Sequence, residues 1–191
     1  MILHGNQRGG GRDLTLHLLK DENEHVDVYD IRGFVSDDVE SAFNEAYAIS
    51  KGTKAKQFLY SLSLNPPPQE QVSTESFEQA IERVEDTLNL KDQPRVIVFH
   101  EKEGRRHCHA VWSRIDTQEM KAIPLPHTKR KLMELSRELY VQHGWGMPRG
   151  MMNSAEKDPK NFTLAERQQA KRLGKDPREI KQALQVTFPL N

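Results

Sequence analysis

The sequence predicts an α+β fold, in which a mostly antiparallel sheet carries helices on one face and a helical extension follows. Two observations lead there. The apolar patterning runs helix, strand, helix, strand, helix, strand, strand, helix. The last two strands, "PRVIVFHE" and "RHCHAVWSRID", are separated only by a short polar link. Such a link makes a hairpin and leaves no room for the crossover that a parallel pair needs.

The elements follow in order. "GNQRGGGR" has the composition of a flexible loop. It lacks the Lys-Ser/Thr ending of a phosphate-binding loop, and no strand is predicted before it. "DLTLHLLKDE" is a short helix with Leu14, Leu16, Leu18 and Leu19 as its apolar residues and Asp13 as its cap. "HVDVYDIRGF" alternates loosely through Val26, Val28 and Ile31 and is a strand ending at Gly33. Residues 36–51 form a helix capped by Ser36, facing the core with Val39, Ala42, Phe43, Ala46 and Ile49, and stopped by Gly52. "KQFLYSLSLNPPP" is a strand broken by its prolines. "STESFEQAIERVEDTLNL" is an amphipathic helix with Phe77, Ile81, Val84 and Leu88 on one face. The 94–101 and 106–115 hairpin comes next, then the helix "PHTKRKLMELSRELYVQHGW", ended near Gly144. Residues 1–150 are expected to form one domain. Residues 151–191 are expected to form a helical extension containing "TLAERQQAKRLG" and "PREIKQALQ".

The charge balance is even, 28 basic against 28 acidic residues, so net charge alone predicts no nucleic-acid partner. Its distribution is uneven: residues 21–45 are acidic apart from Arg32, and the chain from Lys157 onward is basic. Cys108 is the only cysteine. An intrachain disulfide is therefore excluded, which fits a reducing cytoplasm. No secretory h-region opens the chain, and no apolar run is long enough to span a membrane.

The chemistry concentrates in "FHEKEGRRHCHAVW". His100, His107 and His109 fall within ten residues of a chain that has eight histidines. On a strand, residues two apart share a face, so His107 and His109 project together and Cys108 projects the other way. Across a hairpin, His100 reaches the same face. Three imidazoles on one sheet face form a facial nitrogen set with open positions, the arrangement of a catalytic rather than a structural metal. The sequence has no H-E-x-x-H, C-x-x-C or G-x-S-x-G, which argues against ordinary zinc or serine hydrolysis.

This H-x6-H-x-H, placed on adjacent strands after "VIV", resembles the metal motif of HUH endonucleases. More closely it resembles the MOB-P-like relaxases that nick plasmid DNA at a transfer origin. The order "LTLHLL", "HVDV", "VESAFNEAYAI", "LYSLSLNPP" is also similar, over residues 10–145. "NFTLAERQQAKR" resembles a segment that follows such domains. Full relaxases are longer, so 151–191 is read as the start of a longer C-terminal region.

The resemblance implies a ferredoxin- or RRM-like sheet and one divalent cation, magnesium or manganese, held by His100, His107 and His109. It implies a side-chain nucleophile that becomes joined to the 5′-phosphate of single-stranded DNA. The implied partners are that DNA, accessory relaxosome proteins and a coupling protein. The usual tyrosine of the first helix is replaced here by His17, which is ranked first as nucleophile, with Tyr29 second. A leucine-packed surface histidine is the plain alternative for His17. The aspartates common between the first two histidines are Lys102 and Gly104 here, which leaves Glu103 as the candidate orienting carboxylate or a solvated turn residue. His25 is either a general acid/base or a surface residue. Ser63 matches the family's turn serine as a DNA contact. Arg105, Arg106, Lys129, Arg130 and Lys131 are phosphate-contact candidates, the last three equally suited to a solvated helix face. The alternative to a nicking enzyme is a catalytically silent DNA-binding or relaxosome accessory module on the same fold.

Overall fold

The computed structural model describes residues 1–20, 25–102, 104–152 and 164–176. Five strands form one sheet: β1 (Ile2–Arg8), β2 (His25–Arg32), β3 (Leu59–Asn65), β4 (Arg95–Lys102) and β5 (Arg105–Ser113). Their order is β1-β3-β5-β4-β2, and every neighbouring pair is antiparallel. With helices α1 (Gly11–Leu18), α2 (Val39–Ser50), α3 (Thr74–Leu88) and α4 (Thr128–Gln142), this is an α+β fold. A two-residue hairpin, β6 (Ile115–Asp116) with β7 (Lys121–Ala122), was not foreseen. The chain divides into two compact units, Met1–Gly146 and Met147–Asn191. The second contains α5 (Arg149–Met152) and α6 (Leu164–Leu173), the latter on "TLAERQQAKRLG". "PREIKQALQ" lies outside the described residues.

Helices cover both faces of the sheet, where one covered face was expected. Tyr60, Leu62, Leu64, Phe99, Ala110 and Trp112 pack with α3 and α4. Leu59, Val96, Val98 and Val111 pack with Leu14 and Leu18 of α1 and with Val39, Ala42, Phe43 and Ala46 of α2. The reason lies in the central strands. "RVIVF" and "HAVW" are continuous apolar runs, and such runs bury both faces of a strand.

β1 replaces the predicted N-terminal loop. Its register on β3 runs from Ile2↔Asn65 to Arg8↔Leu59. Only Leu3 of its inward face is a large apolar residue; Ile2, His4, Asn6 and Arg8 are exposed, so alternation gives little signal. Helix α4 covers this edge strand, and the Leu3 amide donates to Ser136 Oγ at 3.1 Å. Gly5 is required by packing: a Cβ there would sit 2.0 Å from Tyr60 Oη and 2.9 Å from Leu132 Cδ1. Gly5→Ala is therefore expected to destabilise by about 1–3 kcal/mol through overpacking. Gly10→Ala, whose Cβ would meet nothing nearer than 3.5 Å, should leave thermal denaturation nearly unchanged.

Helix ends shift from their predicted places. α1 starts after Gly10, with Asp13 inside the first turn rather than capping it. α2 starts at Val39, where Asp38 rather than Ser36 takes the cap: its Oδ1 accepts from the Ser41 amide at 2.9 Å. α3 is capped by Ser73, and Phe77, Ile81, Val84 and Leu88, the face the sequence predicts, are all buried.

Candidate metal centre

The β4–β5 hairpin sets the register His100↔His107 and Val98↔His109. Alternation then places all three imidazoles on the face covered by α1 and α2. Cys108 points the opposite way into the core, where burial pushes its thiol pKa up. The ring centroids lie 5.1 Å (His100–His107), 4.7 Å (His100–His109) and 5.3 Å (His107–His109) apart. One nitrogen from each ring falls within 4.8 Å of the others.

Burial is the leading cause of a lowered pKa at each of the three rings, followed by neighbouring positive charge at His107 and His109. His109 is pushed down from 6.5 to about 3. Neutral rings keep their lone pairs free, the state a cation needs. The shift has a consequence for the metal-free fold. Between about pH 6.5 and 3 the unfolded chain takes up a proton at position 109 that the folded chain refuses. Stability present above pH 6.5 is thus lost as the pH falls. Melting in EDTA from pH 7 to 4 should show this fall, and His109→Gln should have a flatter profile.

His17 on α1 reaches this cluster, with its ring edge-on to His109 at a centroid distance of 5.8 Å. Behind it, His100 Nε2 lies 2.6 Å from the carbonyl oxygen of Leu18. Ser63 also stands beside the cluster: it pairs with His109 in the β3–β5 register, and its Oγ accepts from Asn65 Nδ2 at 3.1 Å. Arg105 is exposed, shares the face of His107 by alternation, and contributes to lowering that ring's pKa.

Other candidates are not brought here. Tyr29 sits at a β2 bulge and turns to the opposite face, packing edge-on to Phe99 at 5.3 Å. Its hydroxyl donates to Glu78 Oε1 at 2.7 Å, the main cause of its raised pKa. His25 pairs with Glu101, one residue out of phase with His100, and is exposed on that same far side. Arg106 lies over the Phe99 ring at 4.0 Å and donates to Thr74 Oγ1 at 2.9 Å. Lys129, Arg130 and Lys131 are on α4, across the sheet. Arg130 pairs with Glu134 at 3.9 Å, and Lys131 donates to the Thr87 carbonyl at 3.1 Å. Glu103 lies outside the described residues. Two neighbours of the site were missed. His4 aligns with Ser63 across β1, hidden because β1 read as loop. The Leu18 carbonyl is a main-chain group, which no side-chain motif encodes.

A family model described as relaxase, MobA/VirD2-like, nuclease domain, matches residues 17–145. The chain belongs to this relaxase family. No curated protein matches it. The matched span begins at His17 and holds the whole histidine cluster. For a relaxase nuclease domain, three clustered neutral imidazoles fit a divalent cation. The donor set is all nitrogen, each ring offers one ligand atom, and the His100 ring is anchored to the Leu18 carbonyl through Nε2. No helix among the described residues is long and apolar enough to cross a membrane.

Proposed function

We propose that this relaxase domain nicks single-stranded DNA at a transfer origin with His17 as nucleophile, starting conjugative transfer or mobilisation in the cytoplasm. The observation that carries the reading is the His17 ring standing against His109 at the edge of the triad. His100, His107 and His109 would hold the cation, which when bound neutralises charge on the scissile phosphoryl oxygens. Imidazole nitrogen suits manganese better than magnesium.

A ring nitrogen of His17 attacks phosphorus, and the bond to the 3′-oxygen breaks. That oxygen leaves and takes a proton to become the 3′-hydroxyl, while the imidazole releases its ring proton to solvent. The product is a 5′-phosphoramidate on His17, which conserves the bond for later strand joining. Arg105 and Ser63 are the DNA contacts on this face, the arginine for phosphate and the serine as a hydrogen-bonding partner beside the reacting group.

The test uses 3′-labelled oligonucleotides tiling the candidate origin, incubated with the full chain and manganese and run on a denaturing gel. A shifted, protease-sensitive band supports the reading. Nicking without an adduct points to a simple hydrolase. Neither product, with binding retained, points to an accessory DNA-binding module.

A further inference from the structure

We infer that His100 is the C-terminal cap of helix α1 as well as a ligand, so that one hydrogen bond selects the nitrogen offered to the cation and holds His17 above it. The inference rests on the reading of the triad as a cation site only for the role of the second nitrogen; the cap stands on geometry alone.

Helix α1 has eight residues and is too short to be stable unsupported. Its N-cap is Gly10, with no side-chain hydrogen bond. The last carbonyls of a helix lack intrahelical partners and need donors from elsewhere. Among the described residues a main-chain bond runs from the Leu19 amide to the Thr15 carbonyl, and the donor described at the Leu18 carbonyl is His100. Leu18 is fully buried and His100 is 3% exposed, so the shortfall falls where water cannot make it good. His100 Nε2 stands 2.6 Å from that oxygen.

A carbonyl oxygen only accepts. The contact therefore fixes the direction: Nε2–H donates, and Nδ1 of the neutral ring keeps the lone pair. The proton on Nε2 thus decides the ligand atom before any cation arrives. The same bond fixes the backbone one residue after His17. The distance from attacking ring to metal ligand is then set by a main-chain contact at the end of α1. Residue 100 is a positioning residue for His17 in addition to its place in the triad.

The experiment uses metal-free full-length protein with 15N-labelled histidine. Long-range 15N–1H correlation should show His100 as the Nε2–H tautomer. Amide hydrogen exchange across Leu16–Leu19 should be about tenfold faster in His100→Leu, the loss of one hydrogen bond. His100→Gln, whose side-chain amide nitrogen has the reach of Nε2, should restore most of the protection. His107→Leu should leave α1 exchange unchanged, because that ring makes no bond to the helix. An Nδ1–H tautomer at His100, or equal exchange in the Leu and Gln variants, overturns the cap. Manganese is added only afterwards. A triad that then fails to bind it overturns the cation site, while the metal-free measurements have already decided the cap.

Discussion

His17→Ala is expected to abolish the covalent DNA adduct, lowering its rate of formation by at least about a thousandfold, as loss of a nucleophile does. The specificity of the loss is the useful part. His17 is exposed and contributes to neither apolar core, so its removal opens no cavity and the melting temperature should hold. It is not one of the three clustered histidines proposed to hold the cation, so manganese affinity should also hold, as should binding of an uncleaved oligonucleotide. Tyr29→Phe is the matched control. It removes the hydroxyl that donates to Glu78 on the far face of the sheet, and the adduct should form at its normal rate. An adduct that survives in His17→Ala and vanishes in Tyr29→Phe would remove the histidine mechanism outright, since no rotation of one side chain carries Tyr29 through the sheet.

The clustering of the three histidines was legible in the sequence because it depends on a short-range rule. Alternation along one strand put His107 and His109 together and sent Cys108 away, and a tight hairpin is enough to add His100. The same rule applied from Val26 and Val28 puts Tyr29 on the far face, where the structure has it, so its place in the nucleophile ranking came from residue type and not from geometry. The bulge between Val28 and Asp30 shifts the phase of β2 only after Tyr29 and returns Ile31 to the face of Val26 and Val28, which is why the alternation through these residues is loose. β1 was illegible for another reason. Its inward positions after Leu3 are Gly5 and Gln7, one chosen to clear Tyr60 and the other to meet Arg114, whose Nη1 donates to Gln7 Oε1 at 2.6 Å. Both choices answer to residues far along the chain. The placement of α1 and α2 across the sheet from α3 and α4 was available in part, from the unbroken apolar runs of β4 and β5. The link from Leu18 to His100 spans 82 residues through a main-chain oxygen, and nothing in local patterning reports such a bond.

Glu85→Ala should give the largest stability loss in the domain, and it should do so without touching the chemistry. Position 85 lies one turn beyond Ile81 on the apolar stripe of α3, so a carboxylate is carried into the core and is 2% exposed. Its Oε1 accepts from Arg32 Nη2 at 2.9 Å, Arg95 Nη1 at 2.9 Å and Trp112 Nε1 at 2.7 Å. Arg95 is held further by Asp30 at 2.8 Å. One side chain thus ties α3 to the end of β2, the start of β4 and the end of β5. Its removal leaves the buried indole N–H without its acceptor and takes the shared carboxylate from two arginines, of which Arg95 keeps Asp30 and Arg32 keeps the Lys91 and Gln93 carbonyls, an effect of about 3–5 kcal/mol. At roughly 2–4 °C per kcal/mol for a chain of this size, the melting temperature should fall by about 6–20 °C. Glu85→Gln keeps the volume and one acceptor, and its loss should be smaller. Arg95 and His100 lie at opposite ends of β4, about 17 Å apart at strand spacing. Adduct formation per folded molecule, measured well below the lowered melting point, should therefore match that of the unaltered protein. A variant that melts normally would show that the two arginines and the tryptophan find other acceptors. One that folds but loses the adduct would show that strain at this end of the sheet reaches the histidines through the strands.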